Sequence, residues 1–251
     1  MNATGAGILA VMPLHTISDV HGEDGLRRRL ELETAKLAAP ERVSEALDLV
    51  TELHRDDRYG REPYLNHLLR VAIRIVSHYE VHDTDIVVAG LLHDAVEDHA
   101  PELAATRPGA AERGGQVSGA RTESETEAAL AAVAERFGKR VAGLVAAVTN
   151  PTHEPGVDRN HQYREHIAAS LDRDPWARVV KLSDFTDNGV GILYATGPAM
   201  QRLAVKYRPL TGVYRDLVNR PDTPLAPHVK QHIREQLDLA DERFAAILQD
   251  N

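Results

Sequence analysis

Apolar residues along this chain recur at helical spacing, and period-2 alternation is scarce. Val43, Ala46, Leu47, Val50 and Leu53 predict a helix over 41–54. A charged loop with Gly60 covers 55–62. Pro63 suits the first turn of a second helix through Tyr64, His67, Leu68, Val71, Ile75 and Val76. After a turn at 79–83, a largely buried helix carries Ile86, Val87, Val88, Ala89, Leu91 and Leu92, with Thr84 as a cap. Further helices are expected over 123–137, ended by Gly138, over 141–148, halted by Asn150-Pro151, and over 161–171. A short apolar run at 178–182 leads into Ser183-Asp184-Phe185-Thr186-Asp187-Asn188, in which Asp184 and Asn188 share a helix face. Helices around 200–214 and 227–249 complete an all-α chain without repeats. Residues 1–40 read as an extension of uncertain structure. Residues 41–251 read as one helical domain, with a mobile, unperiodic insertion at 99–122.

The chemistry gathers where the most apolar helix ends. His93, Asp94, Glu97 and Asp98 follow Leu91-Leu92 directly. Desolvating such groups unpaired costs several kcal/mol, on the order of a domain's whole reserve of stability. Glu97 lies four residues after His93 and three after Asp94, so the three can share one face. A divalent cation is the simplest partner, with His93 and Asp94 as ligands and Glu97 and Asp98 placed to handle an activated water. His67 and Asp184 also stand near helix ends. Two imidazoles and two carboxylates suit a borderline divalent ion such as Mn or Fe and leave positions open. The bland alternative is a buried ion-pair network, which is costly and often neutral in stability at best.

Composition narrows the classes. There is no cysteine, which excludes disulfides, thiolate metal sites and a cysteine nucleophile. The net charge of −9 argues against a nucleic-acid surface but leaves room for a phosphorylated small molecule in a local basic pocket. No run is long and apolar enough to span a membrane, and no cationic leader precedes an apolar one, so a cytoplasmic protein is expected. Ile17-Ser18-Asp19-Val20-His21-Gly22 looks like the first metal motif of calcineurin-type metallophosphoesterases. The Gly-Asp and Gly-Asn-His segments which that chemistry also needs are absent from the sequence, so the stretch reads as a solvated extension.

Four ordered segments resemble the HD-domain phosphohydrolases, and within them the hydrolase domain of RelA/SpoT homologues and small alarmone hydrolases. They are Arg58-Tyr59-Gly60-Arg61-Glu62-Pro63-Tyr64-Leu65-Asn66-His67, Leu91-Leu92-His93-Asp94-Ala95-Val96-Glu97-Asp98, the helix from Phe137 to Thr149, and Val180-Lys181-Leu182-Ser183-Asp184 on to Asn188. The resemblance spans roughly 41–214 and implies an HD-domain helical bundle. It implies His67, His93, Asp94 and Asp184 as ligands, usually of Mn(II), and Glu97 and Asp98 as the pair that orients or activates water. It implies Arg58 packed on a guanine base and Asn188 against the nucleoside. The implied reaction is removal of the 3′-pyrophosphate of ppGpp or pppGpp, without synthesis, because no synthetase segment occurs in this sequence. Lys181 is open between a phosphate contact and a structural ion pair, and Tyr207 between the nucleotide pocket and the core.

The chain also departs from the family pattern. Tyr59 stands where a lysine is usual, Arg61 where a glycine is common, Leu68 in place of a proline, and Phe185-Thr186-Asp187 in place of Arg-x-His. These departures keep open an HD phosphohydrolase for another nucleotide or phosphoester. A third reading, a nucleotide-binding regulatory module with little turnover, is opposed by the complete ligand set with Glu97 and Asp98, since a pure sensor needs no water-activating pair.

Overall fold

The computed structural model describes residues 3–107, 124–150, 156–192 and 197–249. In order these form α1 (Ala3–Val11), α2 (Leu14–Thr34), α3 (Pro40–Leu53), β1 (Arg58–Tyr59), β2 (Glu62–Pro63), α4 (Tyr64–Ser77), α5 (Thr84–Leu92), α6 (Ala95–Asp98) and α7 (Ala100–Ala105). Beyond the insertion come α8 (Glu125–Phe137), α9 (Lys139–Val148), α10 (Arg159–Arg173), α11 (Pro175–Gly191), α12 (Pro198–Tyr207), α13 (Leu210–Asn219) and α14 (Pro227–Gln249). The fold is all-α. Among the described residues its sheet is one antiparallel hairpin pairing Arg58 with Pro63 and Tyr59 with Glu62, turned by Gly60 at φ 62°.

α4 is the central rod. It packs against α2, α5 and α11, while α5 also meets α3 and α9, and α11 lies along α14. Leu65 to Val76 of α4 are all buried, which is why its sequence is apolar on every side except at Asn66, His67, Arg70 and Arg74. α11 and α14 approach closely at Gly189, where a Cβ would stand 2.8 Å from the Ala240 Cβ. Below it Phe185 packs on Tyr214 at a 4.3 Å ring separation and on Phe244.

Several local expectations need correction. Asp83 caps α5, its carboxylate accepting from the Asp85 amide at 3.0 Å, and Thr84 is the first helical residue. α5 stops at Leu92 and α6 starts at Ala95, so His93 and Asp94 occupy a break in the helix. The 178–182 run and the polar segment after it are one helix, α11. The 200–214 region is two helices, broken at Arg208-Pro209 because proline lacks the amide that a continuous helix needs.

The extension is ordered at 14–34. Leu14, Ile17, Leu26 and Leu30 are buried against the bundle, a spacing disguised by a kink at Gly22 and by the charges between. Asp19 and His21 point outward, exposed. The insertion expected from residue 99 opens on α7, with Leu103 buried. Its stretch 108–122 lies outside the described residues.

Candidate metal centre and substrate cavity

The convergence of α4, α5 and α11 sets the site. His67 comes from the first turn of α4, His93 and Asp94 from the break after α5, and Asp184 from the middle of α11. His67 Nε2 stands 3.4 Å from Asp184 Oδ1 and 3.8 Å from Asp94 Oδ2. His93 Nε2 stands 3.0 Å from Asp94 Oδ2 and 3.6 Å from Asp184 Oδ1. One ligand atom each of His67, His93 and Asp184 fits within a 4.8 Å span.

The outer nitrogens of both imidazoles are committed. His93 Nδ1 donates to the Gly90 carbonyl at 2.9 Å, and His67 Nδ1 donates to Asp187 Oδ2 at 2.8 Å. Carbonyl and carboxylate oxygens only accept, so both Nδ1 atoms carry a proton, and the Nε2 atoms face the centre as the ones that would give a lone pair to a cation in exchange for their proton. His93 Nε2 is buried and, although 3.0 Å from Asp94 Oδ2, has no hydrogen bond of good alignment. A buried imidazole nitrogen set against two carboxylates without an aligned hydrogen bond is what a divalent cation would satisfy, so the residues present fit one.

The electrostatics agree. Burial disfavours a charged His93, but Asp94 and Asp184 outweigh it and push its pKa up to about 10, so the cage draws positive charge. Burial alone would raise the Asp184 carboxyl; the Lys181 ammonium and the two imidazoles hold it well below the usual carboxylate range. Lys181 Nζ lies 2.7 Å from Asp184 Oδ2, so this lysine is in a structural ion pair that also borders the cavity. Tyr64 Oη donates to Asp94 Oδ2 at 2.7 Å.

A cavity of about 470 Å³ opens over this cage. Glu97 and Asp98 stand exposed at its rim. The Asn150 amide clasps Glu97 with Nδ2 at 2.9 Å from Oε1 and 2.8 Å from Oε2. Partial burial and the carboxylates of Asp94 and Glu97 push Asp98 up to about 6. Asp57 fixes the next residue, accepting from His99 Nε2 at 2.7 Å while it also accepts from His54 Nδ1 at 2.8 Å. Arg58 and Arg61 of the hairpin, and Lys206 and Tyr207 of α12, supply the cationic and aromatic walls. Tyr207 is 8% exposed, so it is at once a core residue and a lining one.

The ten site residues read from the sequence thus border one cavity or the cage beneath it. Asn188 does so with its amide already engaged, to Tyr59 and to Asp184. The sequence assigned no site role to Arg70, Arg74, Tyr64 and Asn150, and Tyr59 and Asp187 stood out only as departures from the family pattern. One signal was available. Arg70 and Arg74 lie a turn apart inside an apolar helix, and buried guanidinium groups demand a buried carboxylate. That carboxylate is Asp187, fully buried, accepting from Arg70 Nε at 3.0 Å and from Arg74 at 2.8 Å.

A helical bundle that brings a histidine, a His-Asp step and a distant aspartate together is an HD-type scaffold. The HD-domain family profile matches residues 46–186, and the chain belongs to that family. It is 32% identical over 169 residues to a probable guanosine-3′,5′-bis(diphosphate) 3′-pyrophosphohydrolase of Mycoplasma pneumoniae, covering 62% of this chain and 19% of that one. It is 34% identical over 145 residues to the guanosine-3′,5′-bis(diphosphate) 3′-pyrophosphohydrolase MESH1 of Mus musculus, covering 56% of this chain and 63% of that one. The chain therefore spans less than two thirds of either relative. Its fold is shared with a solved structure described as a metazoan ortholog of SpoT that hydrolyzes ppGpp, at a TM-score of 0.54 and 22% identity, over 82% of this chain and 94% of that one. Among the described residues no helix is long and apolar enough to cross a membrane.

Proposed function

We propose that this protein is a metal-dependent phosphohydrolase that removes the 3′-pyrophosphate of ppGpp and pppGpp. The observation that carries the reading is the pair of inward-facing Nε2 atoms and the two carboxylates at the floor of a cavity whose rim bears Glu97 and Asp98. His67, His93, Asp94 and Asp184 would hold Mn(II). When bound, such an ion polarises a phosphoryl oxygen and lowers the pKa of a coordinated water.

The chain's own residues do the rest. Glu97, kept in place by Asn150, orients the attacking water and takes its proton at a carboxylate oxygen. Asp98, with a pKa near 6, shares that proton at neutral pH. Arg58 packs on the guanine base, and Lys206 and Arg61 offset phosphate charge in the cavity. Lys181 keeps Asp184 ionised. The partner is a small nucleotide, with no nucleic acid or membrane, and the setting is the cytoplasm. The similarity to curated 3′-pyrophosphohydrolases supports this substrate.

One observation favours a second reading. The Asn188 amide already spends one carbonyl lone pair on Tyr59 and one N–H on Asp184, so it has fewer contacts left for a nucleoside, which suits an HD phosphohydrolase with a different nucleotide. Metal-stripped protein incubated with Mn(II) and ppGpp, with Glu97→Gln as control, separates the two. Pyrophosphate release by the wild type alone supports the first reading. Bound metal without release moves the assignment to another phosphorylated substrate.

A further inference from the structure

Tyr59 sits on β1 at the edge of the cage. Its ring lies flat on the His67 imidazole, with centroids 4.6 Å apart and planes 9° apart. Its hydroxyl donates to Asn188 Oδ1 at 2.7 Å, and Asn188 Nδ2 donates to Asp184 Oδ1 at 2.6 Å. The direction of this chain is forced. An ionised carboxylate only accepts, so the amide of Asn188 must turn its NH2 toward Asp184, and its carbonyl must then face Tyr59, whose hydroxyl donates. The oxygen at the end of the chain, Asp184 Oδ1, is the one that stands 3.4 Å from His67 Nε2 and 3.6 Å from His93 Nε2.

We propose that Tyr59 is a positioning residue of the metal centre. Through Asn188 it fixes the rotation of the Asp184 carboxylate, and with its ring it fixes the plane of His67. Asn188 then serves the ligand set, because the Tyr59 and Asp184 bonds fix its rotation; a sugar could use only the carbonyl lone pair and the N–H that those two bonds leave. This rests on reading the four side chains as a divalent-ion cage, and it is independent of which nucleotide is cleaved.

The test is Mn(II) binding to metal-stripped protein without nucleotide, read by calorimetry, for wild type, Y59F, N188A and the double variant. Melting temperature before metal addition serves as the folding control. Y59F keeps the stacked ring and loses only the hydroxyl. The expected result is about a 10-fold weaker Mn(II) affinity for Y59F, the lower end of what partners of metal ligands contribute. N188A should lose at least as much, and Y59F should add nothing in the N188A background, because its effect passes through that amide. A stably folded Y59F with wild-type affinity, or losses that add in the double variant, would overturn the proposal while leaving the metal centre standing. A wild type that binds no Mn(II) would overturn the cage itself and this proposal with it.

Discussion

His67 Nδ1 and Asp187 Oδ2 lie 2.8 Å apart, and that bond links an imidazole of the candidate cage to a fully buried carboxylate. Asp187 also receives Arg70 and Arg74 from the same face of α4, and His15 of α2 approaches it to 3.6 Å. Replacing Asp187 by Asn keeps the volume but removes the charge shared by two buried guanidinium groups, of which Arg70 retains Glu62 at 2.7 Å. Breaking a buried pair in this way costs about 3–5 kcal/mol. The amide can also present an N–H to His67 and release its tautomer. Asp187→Asn should therefore lower the unfolding free energy from urea titration by that amount and weaken Mn(II) binding by about 10-fold or more. Unchanged affinity in a folded variant would mean that Asp187 serves stability alone.

The legible part of this architecture was whatever repeats or clusters locally. Helical spacing marked out α3, α4, α8, α9 and α14, and the string from Leu91 to Asp98 marked the site, because charges crowded after an apolar helix have few explanations. What stayed hidden needed three dimensions. Tyr59 and Asn188 are far apart in sequence, and their bond depends on how the hairpin folds over α11. Gly22 and the charges around it broke the period that would have shown α2 as part of the bundle. The break at His93-Asp94 was masked by the continuous apolar run before it. Asp187 registered only as a departure from a family pattern, although Arg70 and Arg74 already called for such a residue.

Asn150 donates through its side chain to both oxygens of Glu97 and through its backbone to Oε2 at 3.3 Å. It touches none of the four proposed ligands. Asn150→Ala frees Glu97 to rotate, and misplacing a reacting group by about 1 Å costs up to about 10²-fold in rate. The expected outcome is a fall in kcat of that order in pyrophosphate release, with Mn(II) affinity and melting temperature near wild type. An unchanged kcat would place proton removal at Asp98.

His78 closes α4 and stacks edge-on near His232. Burial, with the nearby Arg74, His232 and Arg29, pushes its pKa down from 6.5 to about 4. The unfolded chain binds a proton there below about 6.5, whereas the folded chain refuses it until about 4. Stability is full above that window and falls as pH drops through it. Urea midpoints between pH 7 and 4 should decline less steeply in His78→Gln than in the wild type. Parallel profiles would mean that the folded His78 accepts its proton normally.

Arg58 is exposed on the hairpin, and its guanidinium donates to the Arg61 carbonyl at 2.8 Å, which holds it at the cavity mouth. It contacts no proposed ligand. A guanidinium over a π-face is worth about 0.5–2 kcal/mol. If Arg58 packs on the base of the bound nucleotide, Arg58→Ala should raise KM for ppGpp by about 2- to 30-fold and leave kcat and Mn(II) affinity close to wild type. That split follows because the stacking is equal in ground and transition states, so its loss weakens binding without touching the chemical step. A fall in kcat at constant KM would instead show the charge of Arg58 acting on the transferring phosphate, and no change in either would place the base elsewhere in the cavity.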